Sequence, residues 1–137
     1  MKIDYTTSLP EKIAYFELFN STGWNADYHL TADELFQSIQ NSSYCISAYD
    51  DENLVGFGRM LSDGIAHAVL FDVIILPDYR EKGIGRKITE MLIEECKKLK
   101  VRDIQLFCAK GKLGFYEKLG FQPRPGDAPG MEIRLRY

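Results

Sequence analysis

The run Phe71-Asp72-Val73-Ile74-Ile75-Leu76 is apolar at every position but one, and Pro77-Asp78-Tyr79 stops it. A run of this kind needs cover on both faces, as a central strand of a layered α/β protein has. Arg80-Glu81-Lys82-Gly83-Ile84-Gly85-Arg86 follows directly. Ile84, Ile88, Met91, Leu92, Cys96 and Leu99 then recur at helical spacing through Lys100. A buried strand thus feeds a long amphipathic helix through a short basic turn with two glycines, so helices must pack on a sheet. Asp72 is the one charge inside the strand and asks for a reason.

The neighbouring segments extend this core. Lys2 to Thr6 alternates and reads as a short strand. A helix is expected from Leu9 to about Asn20, with Ile13, Phe16, Leu18 and Phe19 inward. Ser21 to Leu30 reads as a loop. Thr31-Ala32-Asp33-Glu34 is a capping box opening a second helix with Leu35, Phe36 and Ile39 inward. Tyr44–Tyr49 and Leu54–Leu61 flank the turn-forming Asp50-Asp51-Glu52-Asn53 and predict a hairpin, followed by a strand over 67–76. Ile104 to Cys108 predicts a strand, Lys112 to Leu119 a short helix ended by Gly120, and Gly130 to Tyr137 a final alternating strand. The expectation is one domain over 1–137, an α/β (α+β) fold with a mixed sheet and helices on both faces.

Composition narrows the function. The 137 residues are 45% hydrophobic with a net charge of −3, which favours a packed core and weighs against a nucleic-acid partner. No run reaches the roughly 18 apolar residues of a membrane span, and Met1-Lys2-Ile3-Asp4-Tyr5 carries no signal-peptide stretch. The expected location is cytoplasmic, with no membrane partner. Cys45, Cys96 and Cys108 are widely spaced and lack a CxxC pair or histidine neighbours, which argues against disulfides and against a metal site. Residues 1–56 hold two basic against nine acidic side chains, and residues 57–137 hold fifteen against eleven. That asymmetry suits an anionic ligand on one side and a cationic one on the other, if sequence halves correspond to faces of the fold.

The turn at 80–86 has its own chemistry. A helix start leaves N–H groups unpaired and partly positive. Glycines let phosphate oxygens approach them, and Arg80, Lys82 and Arg86 add charge. Gly83-Ile84-Gly85 does not extend to a dinucleotide GxGxxG, since Ile88 stands at the third position, and no GxxxxGK[ST] loop is present. A pyrophosphate is the expected occupant.

A second motif, Gly114-Phe115-Tyr116-Glu117-Lys118-Leu119-Gly120-Phe121, follows in the right order. Together the segment from Asp72 to Gly85 and this motif resemble the GNAT superfamily of acetyl-CoA-dependent N-acetyltransferases. The resemblance implies a central twisted sheet in which the strand ending at Leu76 splays from the Ile104–Cys108 strand and opens a cofactor cleft. It also implies acetyl-CoA as acetyl donor, with no metal. Backbone groups of Val73, Ile74 and Ile75 would bind the pantetheine arm, and Arg80, Glu81, Lys82, Gly83, Ile84, Gly85 and Arg86 would surround the pyrophosphate. Phe115 would pack near the cofactor, and Tyr116 matches the tyrosine that protonates the departing thiolate. The family's frequent asparagine seven residues before that tyrosine is Ala109 here, a departure that also admits a non-catalytic acetyl-CoA sensor or subunit.

The expected mechanism is direct attack of a neutral amine on the thioester. A backbone N–H at Val73 or a neighbour would stabilise the oxyanion. Asp72 is the candidate base, with a structural carboxylate satisfied by backbone groups or by Arg59 as the equal alternative. Trp24 and Tyr28, with Asp27 nearby, are candidates for holding a cationic acceptor, though Trp24 equally suits anchoring its loop. A small amine is favoured over a peptide or protein amine, and monomer and homodimer both stay open.

Overall fold

The computed structural model describes all 137 residues and carries one five-stranded sheet. Strands β1 (Ile3–Thr6), β2 (Tyr44–Asp50), β3 (Asn53–Ser62) and β4 (His67–Ile75) lie side by side, each antiparallel to the next. Strand β5 (Asp103–Leu106) is parallel to β4 and forms the far edge, reached by the crossover helix α4 (Ile84–Leu99). Helices α1 (Lys12–Asn20), α2 (Asn25–Tyr28) and α3 (Ala32–Gln40) precede the hairpin, and α5 (Leu113–Glu117) follows β5.

The sheet buries both faces, as the apolar run around Ile74 requires. Ile84, Ile88, Leu92 and Cys96 of α4 pack with Ile46, Val55, Met60 and Leu70. On the opposite face Tyr15, Leu18 and Phe19 of α1 and Leu35 and Ile39 of α3 pack with Phe57 and Ile74. The capping box forms as read: Thr31 Oγ1 accepts from the Glu34 N–H, and Glu34 Oε1 accepts from the Thr31 N–H.

Two glycines of β3 set how closely α4 approaches. A Cβ on Gly58 would lie 2.7 Å from Ile88 Cγ2, and one on Gly56 would lie 2.9 Å from Ile75 Cδ1. The helix therefore lies tight across β3, and its N-terminus falls beside the end of β4.

Several expectations need correction. Helix α1 turns Tyr15, Leu18 and Phe19 inward, while Ile13 is exposed; the i, i+3, i+4 stripe runs from Tyr15 and leaves Ile13 off it. The Ser21–Leu30 stretch contains the short helix α2. Strand β5 ends at Leu106, short of Cys108. Gly130 to Tyr137 forms no strand, and its backbone from residue 129 onward makes no hydrogen bond. The alternation is there, but a strand needs an edge to pair with, and the chain turns this segment away from β5.

Candidate active site

The charge inside β4 marks a bulge. Phe57 pairs with Ile74 and Arg59 with Phe71, so Gly58 alone opposes both Asp72 and Val73. Asp72 takes φ +55, a left-handed conformation that is uncommon for a side-chain-bearing residue. The extra residue shifts the alternation: Leu70 and Val73 pack toward α4, and Ile74 toward α1. Asp72 Oδ2 accepts from Arg59 Nε at 2.8 Å, with the two side chains 19% and 14% exposed. Arg59 also donates to the Ser38 carbonyl and Ser42 Oγ, at 3.2 and 3.4 Å. The ion pair thus ties the bulge to the end of α3.

Beyond the bulge, β4 loses its outer neighbour. The β4–β5 pairing runs only from His67 with Asp103 to Leu70 with Leu106, whereas β4 stays paired with β3 as far as Ile75. The β5-facing edge of Val73, Ile74 and Ile75 is therefore open, and the two parallel strands part there. Leu76 closes the strand by donating its N–H to the Val55 carbonyl.

The turn that follows is shaped for an anion. Tyr79 Oη donates to Asp50 Oδ2 at 2.6 Å, a bond that raises the tyrosine pKa and fixes the start of the turn. Glu81 at φ +62 and Gly83 at φ +84 reverse the chain into α4. None of the six N–H groups of residues 81–86 donates to an acceptor within the protein, since the first bond from this helix start is Lys87 N–H to Gly83 O. Six adjacent free donors at a helix N-terminus, with Arg80, Lys82 and Arg86 around them, fit a pyrophosphate.

Helix α5 closes the other side. A Cβ on Gly85 would be 3.5 Å from Ile75 and 3.7 Å from the Phe115 ring, so the open strand end, the turn and α5 meet at this glycine. Phe115 and Phe121 both meet Tyr116 edge-on, at 5.0 and 5.9 Å between ring centres. Burial, and then the nearby Cys108, raise the Tyr116 pKa, so its hydroxyl keeps its proton at neutral pH.

The structure therefore gathers Val73, Ile74, Ile75, the 80–86 turn, Phe115 and Tyr116 into one region, with Asp72 on the bulge at its edge. Trp24 and Tyr28 lie elsewhere along α1–α2, both against Phe19, at 5.9 and 6.2 Å. Arg134 stands 5.7 Å over the Tyr28 ring, and Arg136 lies 3.8 Å from Asp27. The residues missed from sequence are Gly58, which permits the bulge, and Tyr15. The latter is fully buried with no partner for its hydroxyl, and its pKa is driven up by burial and then by Asp72. The spacing Gly56-Phe57-Gly58 was the available signal for the first; a lone aromatic in α1 gives none for the second. A depression of about 490 Å³ lined by Asp63, His67 and Gln105 sits at the start of β4, away from this region.

Comparisons with known proteins agree with the geometry. The profile of the acetyltransferase (GNAT) family matches residues 12–121. The N-acetyltransferase ycf52 of Pyropia yezoensis is 32% identical over 119 residues, covering 84% of this chain and 67% of that protein. GCN5-related N-acetyltransferase 1, chloroplastic, of Arabidopsis thaliana is 35% identical over 77 residues, which is 56% of this chain but only 39% of the plant protein. The chain thus spans a part of the curated relatives it matches. Among solved structures, a probable acetyltransferase from Staphylococcus aureus superposes with a TM-score of 0.83 at 22% identity, covering 98% of this chain and all of that one. A splayed parallel strand pair beside a free-amide helix start, on a sheet shared with those structures and with a family match over most of its length, makes this chain a member of the GNAT acetyltransferase family and an acyltransferase.

Proposed function

We propose that the chain, acting as one domain over 1–137, moves an acetyl group from acetyl-CoA to a primary amine, with a small amine favoured over a peptide or protein amine. The supporting observation is the meeting of Ile75, Gly85 and Phe115 around the six free amides. That geometry offers main-chain donors to a diphosphate and an open strand edge to the pantetheine amides. Val73, Ile74 and Ile75 hold the arm as an added strand would. Arg80, Lys82 and Arg86 neutralise the phosphates, while the N–H groups of residues 81–86 donate to them.

The chemistry then needs three groups. The Val73 N–H, on the open edge, faces the thioester oxygen and stabilises the oxyanion as the amine attacks. Tyr116, a phenol that holds its proton at neutral pH and whose pKa burial raises further, donates to the sulfur as the C–S bond breaks. Asp72 takes the ammonium proton, directly or through water. Its Oδ1 serves, because Oδ2 is engaged by Arg59. Trp24, and Tyr28 once the acceptor displaces Arg134 from its ring, offer faces to the acceptor cation. The small-amine preference rests on these two rings.

Relatives divide on acceptor class. Serotonin N-acetyltransferase 2, chloroplastic, of Oryza sativa is 35% identical over 77 residues, and histone acetyltransferase TAP1 of Glycine max is 32% identical over 82. Their names make an arylalkylamine and a histone peptide the two informative acceptors. Because some relatives are named as chloroplastic, the plastid joins the cytoplasm as a location to test.

The test is thiol release from acetyl-CoA over an amine panel with the wild type, Tyr116→Phe and Asp72→Asn. Turnover with a small amine, and a kcat about tenfold or more lower in Tyr116→Phe at unchanged acetyl-CoA affinity, is expected. Asp72→Asn abolishes the acidic limb of the kcat/KM pH profile if Asp72 is the base. A lower Tm with an unchanged profile assigns it a structural role alone. Acetyl-CoA binding without turnover on any amine would establish the sensor reading suggested by Ala109.

A further inference from the structure

One buried side-chain polar atom of this chain is left without a partner. Tyr15, on α1, is 1% exposed, and its hydroxyl makes no hydrogen bond within the protein. Its ring stands edge-on to Phe57, at 4.9 Å between centres, and packs with Ile74 on the sheet face that α1 and α3 cover. A phenylalanine would fill the same space with no donor to satisfy. A buried hydroxyl there therefore calls for an acceptor.

The acceptor lies on the same face. Phe57 and Arg59 stand two residues apart on β3 and so point the same way, and Arg59 holds Asp72. The Tyr15 hydroxyl is near enough to feel both charges: after the larger effect of burial, Asp72 raises its pKa and Arg59 lowers it. The ion pair has capacity to spare. Arg59 commits Nε to Asp72 Oδ2 and Nη1 to the Ser38 carbonyl and Ser42 Oγ, which leaves Nη2 free, and Asp72 Oδ1 accepts from no group of the protein. Around this cluster β3 supplies Arg59, β4 supplies Asp72 and α1 supplies Tyr15, while the two groups from the end of α3 are uncharged. Two unused donors and one unused acceptor in a largely buried site match the about three hydrogen bonds that an internal water makes.

We propose that Tyr15 is a positioning residue for Asp72, its hydroxyl donating to an internal water that donates in turn to Asp72 Oδ1. That water accepts from Tyr15 Oη and Arg59 Nη2 and gives one proton to Oδ1, which keeps its second lone pair for the acceptor amine. Arg59 then fixes one carboxylate oxygen directly and the water fixes the other, so the carboxylate holds one orientation at the bulge. The role rests on the reading of Asp72 as the base. A donor to a carboxylate favours its charged form. The effect of removing the Tyr15 hydroxyl must therefore grow as pH falls and fade as pH rises.

The test is the pH profile of kcat/KM for thiol release with the best amine of the panel, in the wild type, Tyr15→Phe, Asp72→Asn and the double variant. A high-resolution crystal structure of the wild type accompanies it. Tyr15→Phe should lower kcat/KM about threefold or more on the acidic limb and less than about 1.5-fold on the plateau, at unchanged acetyl-CoA affinity. In the Asp72→Asn background it should change nothing further. The crystal should hold a water within hydrogen-bond distance of both Tyr15 Oη and Asp72 Oδ1. A dry site, a loss equal at every pH, or a changed Tm with an unmoved profile overturns the positioning role, and Asp72 stays the base if Asp72→Asn abolishes the acidic limb. An acidic limb that survives Asp72→Asn, or an absence of turnover with every amine, overturns the base reading and the positioning role with it.

Discussion

The junction of β4 with α4 and the turn at Trp24–Tyr28 are both candidates for holding a ligand, and they are built differently. The junction is fixed from beneath. Two glycines of β3 admit α4, a bulge re-aims the end of β4, and a largely buried ion pair locks the bulge to α3. It presents mainly backbone groups. The turn is fixed from the surface: Asn25 Nδ2 donates to Asn20 Oδ1 and to the Leu30 carbonyl, and Asn25 Oδ1 accepts from the Leu30 N–H. It presents side chains. A site made of main chain keeps its shape whatever side chains surround it, whereas one made of exposed rings changes with every substitution. The first suits the invariant part of a ligand, the second the part that differs from one acceptor to the next.

The sharpest way to break this contrast is to remove the lock. Arg59→Ala leaves Asp72 unpaired in a largely buried site, and urea unfolding should show a loss of about 3 kcal/mol. A loss below about 1 kcal/mol would mean that the bulge holds itself. Gly58→Val comes next. Its branches meet Ile88 and Leu92 of α4, and a cost of about 2 kcal/mol is expected, with α4 displaced. Both changes should weaken acetyl-CoA binding through the displaced turn, which titration calorimetry would read.

A matched pair separates stability from recognition. Gly83 at φ +84 and Gly23 at φ +80 each have open space where a Cβ would go, so alanine at either should cost about 1 kcal/mol from backbone strain alone. Gly83→Ala should also weaken acetyl-CoA binding, whereas Gly23→Ala should leave it unchanged. Equal effects on binding would erase the distinction between the two regions.

The smallest effect is a pH dependence far from both. Asp63 accepts from the N–H groups of Ile65, Ala66 and His67, which hold its carboxyl at about 2, below the ordinary 3.8. A folded-state pKa below the unfolded one stabilises above 3.8 and loses that contribution as pH falls from 3.8 toward 2. Thermal unfolding of Asp63→Ala should lack this part of the acid decline, with acetyl-CoA binding at neutral pH unchanged.

Much of this was legible in the residues. The apolar run to Leu76, the helical stripe from Ile84 to Cys96, the Thr31–Glu34 capping box and the hairpin at Asp50–Asn53 are local patterns, and each appears where it was read. The basic glycine turn and the Phe115–Tyr116 motif are local as well, and both lie in the region around Gly85. The Asp72 charge was visible as an anomaly. That it marks a bulge was not, because a bulge is a relation between two strands, and only the register of Phe57 and Arg59 against Ile74 and Phe71 shows it. On α1, Phe16, Leu18 and Phe19 pack inward as the pattern predicts, and only Ile13 departs, because which stripe is buried depends on where the sheet lies.

The amino-acid order by itself determined most of the elements, the donors of the anion cup and the family, because periodicity, caps and glycine turns act over a few neighbouring residues. Only the tertiary structure decided where β4 parts from β5, which partner holds Asp72, and that the last eight residues find no edge within their own chain. Those are pairings between residues far apart in the chain. Their free energy comes from burial and hydrogen bonds completed across the fold, and no short stretch of sequence contains both halves.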